Sequence, residues 1–227
     1  MRLYTWWKNP EYTDLDLSAV FLDKDFKHLL DIAYYDLRNT EYGAYHSGDI
    51  TSAQNGAAEF IDLDIAKAKD KGVKYIIMGL CSFTSQPFYE LTECFAGVMA
   101  MDEPKSNEKT FDPAKSIVRS DITSDSKNVI PYVYDVETNE LIWLDVAMNT
   151  YGFSSCHNVD MHRNVFVNTL RGMLNASYPS FATLAALHTQ ARATEIVDNP
   201  EEADVIFSLD KGITPYSVEE INANWLK

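Results

Sequence analysis

The sequence has few basic residues, few cysteines and no long apolar run, and each shortage excludes a class of protein. Its 19 Lys and Arg residues face 34 Asp and Glu residues, which leaves a formal net charge of −15. So acidic a chain is a poor general binder of nucleic acid or of anionic membranes, because long-range repulsion opposes the encounter. The best candidate for a membrane span, residues 73–83, has about 11 residues and is too short to cross a bilayer. We therefore expect neither nucleic-acid partners nor membrane insertion.

The cysteines and the first residues bear on the cellular compartment. Cys81, Cys94 and Cys156 are an odd number in a chain too long to be a disulfide scaffold. The apolar surroundings of Cys81 and Cys94 predict buried, reduced thiols. The N-terminal residues lack the charged start, apolar stretch and cleavage site of a signal peptide. These features together predict a cytoplasmic protein.

Recognisable catalytic motifs are also missing. The sequence has no phosphate-binding glycine loop, no paired-histidine zinc helix, no nucleophile elbow and no EF-hand loop. Cys156, His157 and His162 match the spacing of no common zinc site, and we interpret them as part of a loop and the start of a helix. These absences favour a protein that is not an enzyme.

What the sequence does contain is the pattern of a folded β protein. Several segments either alternate polar and apolar side chains or are nearly continuous in β-forming residues, and turn-rich stretches separate them. The strand candidates include residues 14–21, 59–65, 73–83, 128–135 and 140–146. Many short strands with turns between them predict a mainly β fold, a β-sandwich or an open barrel, over residues 1–150.

The pattern changes after about residue 158. Asp160 is placed to cap a helix with an apolar stripe. The stripe consists of Phe166, Leu170, Met173 and Leu174. A second helix is predicted over residues 182–193, and short strands over residues 195–197 and 205–207. We therefore predict a small C-terminal α/β appendage, residues 158–227, packed on the sandwich.

Acidic residues are placed in pairs on two of the predicted strands. Asp14 and Asp16 lie two positions apart, so both carboxylates leave the same face, and Asp62 with Asp64 repeats this arrangement. Between the two strands lies a loop containing Asp49. Hard cations such as Ca²⁺ take roughly 6–8 oxygen ligands from carboxylates, backbone carbonyls and water. The spacing is compatible with a calcium site, but on its own it favours the solvated outer face of half-buried strands.

The order of these motifs resembles the tellurium-resistance TerD family. The resemblance rests on Asp14-Leu15-Asp16-Leu17-Ser18-Ala19, on His46-Ser47-Gly48-Asp49 and on Glu59-Phe60-Ile61-Asp62-Leu63-Asp64. It covers about residues 12 to 147. Residues 183–192 and 201–207 resemble an extension found in larger TerD-related bacterial and phage proteins.

The resemblance implies a TerD-like β-sandwich and a set of metal ligands. It also implies calcium binding by acidic loops and a cytoplasmic, stress-associated role without established enzymatic chemistry. Carried over by position, the implied calcium ligands are Asp14, Asp16, Asp49 and Glu59. This chain departs from the family in having Ala57-Ala58 where further acids commonly precede the final Glu, which puts one metal position in doubt.

Three functional hypotheses follow. The first is a non-enzymatic calcium-binding module that acts through protein partners. The second is a metal-free structural or assembly protein, which would be virion-associated if it is encoded by a phage. It is suggested by Ala57-Ala58, by the aromatic residues Tyr4, Trp6 and Trp7, and by the second, smaller unit. The third is an enzyme in which Asp14, Asp49 and Glu59 perform acid–base chemistry or hold Mg²⁺.

Overall fold

The computed structural model describes residues 1–101, 112–148, 159–176 and 180–226. It divides into two compact units, Met1–Leu174 and Asn175–Lys227. The predicted sandwich, residues 1–150, lies within the first unit, which also takes in most of the helix Val159–Asn175. The predicted packing of the remaining appendage on the sandwich stays a prediction.

The first unit is built from two antiparallel sheets. Its strands are β1 (Arg2–Lys8), β2 (Leu15–Leu22), β3 (His28–Ile32), β4 (Arg38–Asn39), β5 (Ala44–His46), β6 (Ala57–Leu63), β7 (Tyr75–Ser82), β8 (Glu93–Met99), β9 (Ser116–Asp121), β10 (Asn128–Asp135) and β11 (Glu140–Ala147). One sheet has six strands in the order β4-β5-β6-β1-β8-β9, and the other has five in the order β11-β10-β7-β2-β3. The strand candidates at residues 128–135 and 140–146 are β10 and β11, and they pair with each other in antiparallel fashion.

The main core lies between the two sheets. Alternate residues of β2, such as Leu15 and Leu17, pack there against alternate residues of β6, such as Ile61 and Leu63. This is the arrangement that the polar–apolar alternation of the two segments predicts. The predicted mainly β fold is confirmed, and it is a sandwich rather than an open barrel.

A helix covers the outer face of the five-stranded sheet. Helix α1 (Ile65–Asp70) is short, whereas α2 (Val159–Asn175) is the helix predicted from the apolar stripe. Phe166 and Leu170 of that stripe are buried against the outward-facing Val20 and Ile77. A Cβ atom at Gly79 of β7 would lie 2.6 Å from Cε1 of Phe166, so the glycine permits this close approach. Both faces of the five-stranded sheet are therefore covered over part of their length.

The second unit is helical rather than α/β. Helix α3 (Phe181–Arg192) confirms the second predicted helix, and α4 (Val218–Glu220) continues into a π-helical turn at Ile221–Trp225. The predicted strands at 195–197 and 205–207 are wrong, since the described residues show only an isolated bridge between Phe207 and Ile213. Ile196 is 74% exposed. A segment this short and exposed has no neighbouring strand to complete its hydrogen bonds.

The cysteine prediction needs one correction. Cys94 is free and buried, as expected. Cys81 is disulfide-bonded, not reduced, and it lies half-buried near the end of β7. Cys156 and His157 lie outside the described residues, as does the side chain of His162.

Membrane spanning is not supported by the helices that the structure describes. Within residues 1–101, 112–148, 159–176 and 180–226, no helix combines the length and the apolar character needed to cross a bilayer.

Candidate metal centre

Three of the predicted ligands meet at one end of β2. Asp14 directly precedes the strand, Asp16 lies within it, and Asp49 lies in the loop of residues 47–56 between β5 and β6. One carboxylate oxygen from each lies within 4.8 Å of the other two. Asp14 is buried, Asp16 is half-buried and Asp49 is exposed, so the cluster opens to solvent on the Asp49 side.

Local backbone geometry explains this convergence. Leu15 and Leu17 point into the sandwich core, so Asp14 and Asp16 leave the opposite, outer face of β2. Gly48 adopts a φ of +107°, which turns the loop immediately before Asp49. A Cβ atom at Gly48 would meet nothing within 4 Å, so the backbone conformation and not the available space requires glycine there.

The carboxylates of the cluster are held in an unfavourable electrostatic environment. Burial, followed by the charge of Asp49, raises the pKa of Asp14 from its ordinary 3.8 to about 6. Burial, followed by the charges of Asp14 and Asp49, raises the pKa of Asp16 to about 7. Oδ1 of Asp14 is buried and accepts no hydrogen bond in the described part of the chain. A buried carboxylate oxygen of this kind is costly unless it is paired, and a cation is a partner that offsets the cost.

Glu59, the fourth predicted ligand, faces a different partner. Its side chain is fully buried, its Oε2 accepts the N–H of Leu17 at 2.9 Å, and its Oε1 accepts the N–H of Ile50 at 2.9 Å. Burial raises the pKa of Glu59 well above its usual range, although both backbone hydrogen bonds act to lower it. The structure therefore gathers Asp14, Asp16 and Asp49, and it directs Glu59 to backbone groups beside the cluster.

His46 takes part in the same network, and the sequence analysis assigned it no role. Its Nε2 donates to the carbonyl of Leu17 at 3.0 Å, and its Nδ1 accepts the N–H of Gly48 at 3.0 Å. These partners assign the neutral tautomer with the proton on Nε2, and burial lowers the pKa of His46 accordingly. The sequence feature that could have pointed to His46 is its position in the loop motif, three residues before Asp49.

The second predicted acidic pair does not form a cation site. Asp62 is buried, and its carboxylate accepts hydrogen bonds from Arg2 Nε at 2.6 Å and Nη2 at 3.0 Å. Asp64 caps α1, where its Oδ1 accepts the N–H of Lys67 at 3.2 Å. The prediction that both carboxylates lie on a solvated face is therefore wrong for Asp62, because an arginine from β1 covers it.

Fold and site together define a class of protein: a β-sandwich with an acidic, solvent-open cluster suited to a hard cation. Three carboxylates supply several of the oxygen ligands that such a cation requires, and water and backbone carbonyls are the usual complement.

The solved structures that are similar to this chain include two crystal structures. The first is a homologue of the telluride resistance protein TerD from Streptomyces coelicolor A3(2), with 10% sequence identity, a TM-score of 0.46, and coverage of 68% of this chain and 90% of that chain. The second is a protein of unknown function, with 10% identity, a TM-score of 0.46, and coverage of 67% and 91%. No family model and no curated protein matches the sequence.

The first of these structures bears the name of the family that the sequence motifs resemble. A likeness of this size carries no argument about function. The functional proposal below therefore depends on the geometry of this chain and on its motifs.

Proposed function

We propose that this protein is a non-enzymatic, TerD-like calcium-binding module of the cytoplasm that acts through protein partners in a stress-associated role. The observation that carries the calcium proposal is the convergence of Asp14, Asp16 and Asp49, with a buried oxygen of Asp14 that has no hydrogen-bond partner in the described chain. Such a site is electrostatically unfavourable when empty, and a divalent cation relieves both the repulsion and the missing partner.

Ca²⁺ fits the cluster better than Mg²⁺ does. Mg²⁺ demands near-ideal octahedral geometry and gives up its waters reluctantly, whereas Ca²⁺ accepts irregular sets of oxygens with variable numbers of waters. The three carboxylates come from two chain segments in unlike environments, and the exposed Asp49 leaves one side open to solvent. Ala57-Ala58 offers no carboxylate of its own, so we propose a single calcium site.

Calcium titration of the purified protein tests this proposal. At pH 7.5, above the raised pKa values of Asp14 and Asp16, we expect isothermal titration calorimetry to detect Ca²⁺ binding in the millimolar range or tighter. Asp14→Asn removes one buried ligand and is expected to weaken binding at least about tenfold, which corresponds to about 1.4 kcal/mol.

The matched control is Asp25→Asn. Asp25 is exposed, pairs with Lys24 and lies beyond the opposite end of β2, so its replacement should leave the calcium affinity unchanged. Absence of any calcium heat from the wild-type protein at millimolar concentration would rule out the calcium function. Equal weakening by Asp14→Asn and Asp25→Asn would show a general charge effect instead of a site.

The alternative of a metal-free assembly protein gains little from the aromatic segment that suggested it. Trp7 is fully buried and its Nε1 donates to the carbonyl of Thr13, while Trp6 is half-buried and stacks on Phe95 at a centroid distance of 5.0 Å. Both indoles thus have intramolecular packing partners. Protein partners remain part of our proposal for the calcium-binding module, without an assigned surface.

A further inference from the structure

One buried side chain connects the two segments that carry Asp16 and Asp49. Glu59, on β6, accepts the backbone N–H of Leu17, the residue after Asp16, and the backbone N–H of Ile50, the residue after Asp49. β6 and β2 belong to different sheets. The carboxylate of Glu59 therefore ties a strand of the five-stranded sheet to a loop of the six-stranded sheet, directly beneath the cluster.

The end of β3 creates the need for this connection. β3 pairs with β2 only from Ala19 onward, so among the described residues no strand lies beside Leu17 on that side. Leu17 is fully buried, and unpaired backbone groups there would be costly. Glu59 accepts its N–H, and His46 donates to its carbonyl. The side chains of Glu59 and His46 thus make the hydrogen bonds to Leu17 that a neighbouring strand would otherwise make.

Electrostatic repulsion favours movement of the loop that carries Asp49 away from β2. The carboxylate of Asp49 lies within 4.8 Å of those of Asp14 and Asp16, and like charges at that distance repel. Gly48, with a φ of +107°, gives the chain conformational freedom immediately before Asp49. The hydrogen bond from the N–H of Ile50 to Glu59 is one of the bonds adjacent to Asp49 that oppose this repulsion.

We propose that Glu59 is a positioning residue, the latch that holds the Asp49 loop against β2 so that the three carboxylates converge before any cation binds. Each oxygen of Glu59 accepts a backbone N–H, and Glu59 is not part of the group whose oxygens lie within 4.8 Å of one another, so it acts on the site through Asp16 and Asp49. His46 completes the latch by fixing the carbonyl of Leu17 and the N–H of Gly48. The site is then largely preformed, which lowers the ordering cost of binding.

The test compares Glu59→Gln with a control on the same strand. A glutamine at position 59 keeps one acceptor oxygen but turns its NH₂ group toward the other backbone N–H, so one of the two ties is lost. Ile61→Val is the control, because Ile61 is buried on the same face of β6, two residues along, and touches neither Leu17 nor Ile50 through a hydrogen bond. Both changes are mild enough to keep the protein folded, which thermal unfolding verifies.

Two readouts separate a latch from a merely structural residue. In the metal-free protein, we expect hydrogen–deuterium exchange of residues 47–52 to be at least about tenfold faster in Glu59→Gln than in Ile61→Val, because the lost hydrogen bond is worth about that factor. In calorimetry with Ca²⁺, we expect Glu59→Gln to bind at least about tenfold more weakly than wild type and Ile61→Val to bind unchanged.

The inference rests on the proposed calcium function only for the second readout. Unchanged exchange of residues 47–52 in Glu59→Gln overturns the latch, whether or not the protein binds calcium. Exchange that speeds up while the wild type binds no Ca²⁺ supports the latch and removes the calcium function. Faster exchange with an unchanged calcium affinity also overturns the proposal, because the loop would then not limit the site.

Discussion

Asp62→Asn is expected to lower the free energy of unfolding by roughly 3 to 5 kcal/mol, the range observed when one partner of a buried ion pair is removed. The side chains of Arg2 and Asp62 are only 4% and 9% exposed, and two short hydrogen bonds join them. The guanidinium of Arg2 also lies over the ring of Phe60, 4.5 Å from its centroid. Asparagine removes the carboxylate charge that faces this buried guanidinium, which is the source of the large effect.

Chemical denaturation of wild type and variants measures this loss. Asp121→Asn is the control, because Asp121 pairs with Arg119 at exposures of 69% and 53%, and surface pairs contribute roughly 0–1 kcal/mol. Replacing both partners, as Arg2→Met with Asp62→Leu, should recover much of the stability, since apolar groups of similar volume need no counter-charge. A loss below about 1 kcal/mol for Asp62→Asn would contradict the buried pair.

The same residue shows what a local pattern can and cannot predict. The alternation of residues 59–65 correctly directs Ile61 and Leu63 inward, and it places Asp62 on the outer face. Whether that outer face is covered depends on Arg2, which lies 60 positions away in sequence. Periodicity gives the direction of a side chain on a strand, but the surroundings of that face are set by the neighbouring strand in the sheet.

On β2 the sequence contains a further signal. The alternation ends at Ser18, and residues 19–22 are all apolar, which is typical of a strand buried on both faces. Val20 and Leu22 are indeed buried on the outer face, beneath α2. The pattern indicates that something covers this face, but the covering helix begins more than a hundred residues later, and no local feature connects the two. Short, polar edge strands such as β4 and β9 carry weaker patterns still.

The candidate metal site likewise has a part that the sequence predicts and a part that it does not. The convergence of Asp14, Asp16 and Asp49 follows the predicted spacing, since two residues on one strand face and a glycine turn bring them together. The orientation of Glu59 could not be predicted from spacing, because it depends on where β3 stops pairing with β2. A buried backbone N–H that lacks a strand partner needs another acceptor, and here the carboxylate of Glu59 supplies it.

The charge cost of the cluster gives the second large prediction, in which one substitution stabilises the protein. In metal-free buffer at pH 7.5, we expect Asp16→Asn to raise the free energy of unfolding by roughly 2 kcal/mol, an estimate reduced for solvent screening. The pKa of Asp16 is raised from 3.8 to about 7 on folding, so the folded state binds this proton more tightly than the unfolded state does. Stability therefore falls as pH rises between these two values, and the loss is complete above about 7. Denaturation at a series of pH values should show the advantage of Asp16→Asn shrinking toward zero near pH 4.

Calcium should narrow the difference in stability between wild type and Asp16→Asn. A ligand that binds only the folded state adds about 2.7 kcal/mol of stability at 100 times its dissociation constant. The wild type would gain that amount, whereas Asp16→Asn lacks one ligand and, at an affinity about tenfold weaker, would gain only about 1.4 kcal/mol at the same concentration, so its advantage should shrink by about 1.3 kcal/mol. Asp25→Asn, exposed and remote from the cluster, should follow the wild type within about 0.5 kcal/mol under both conditions. An Asp16→Asn protein that is less stable than wild type without calcium would show that the carboxylates are not held under repulsion. If calcium does not stabilise the wild type, then calcium does not bind the cluster and relieve the repulsion between its carboxylates.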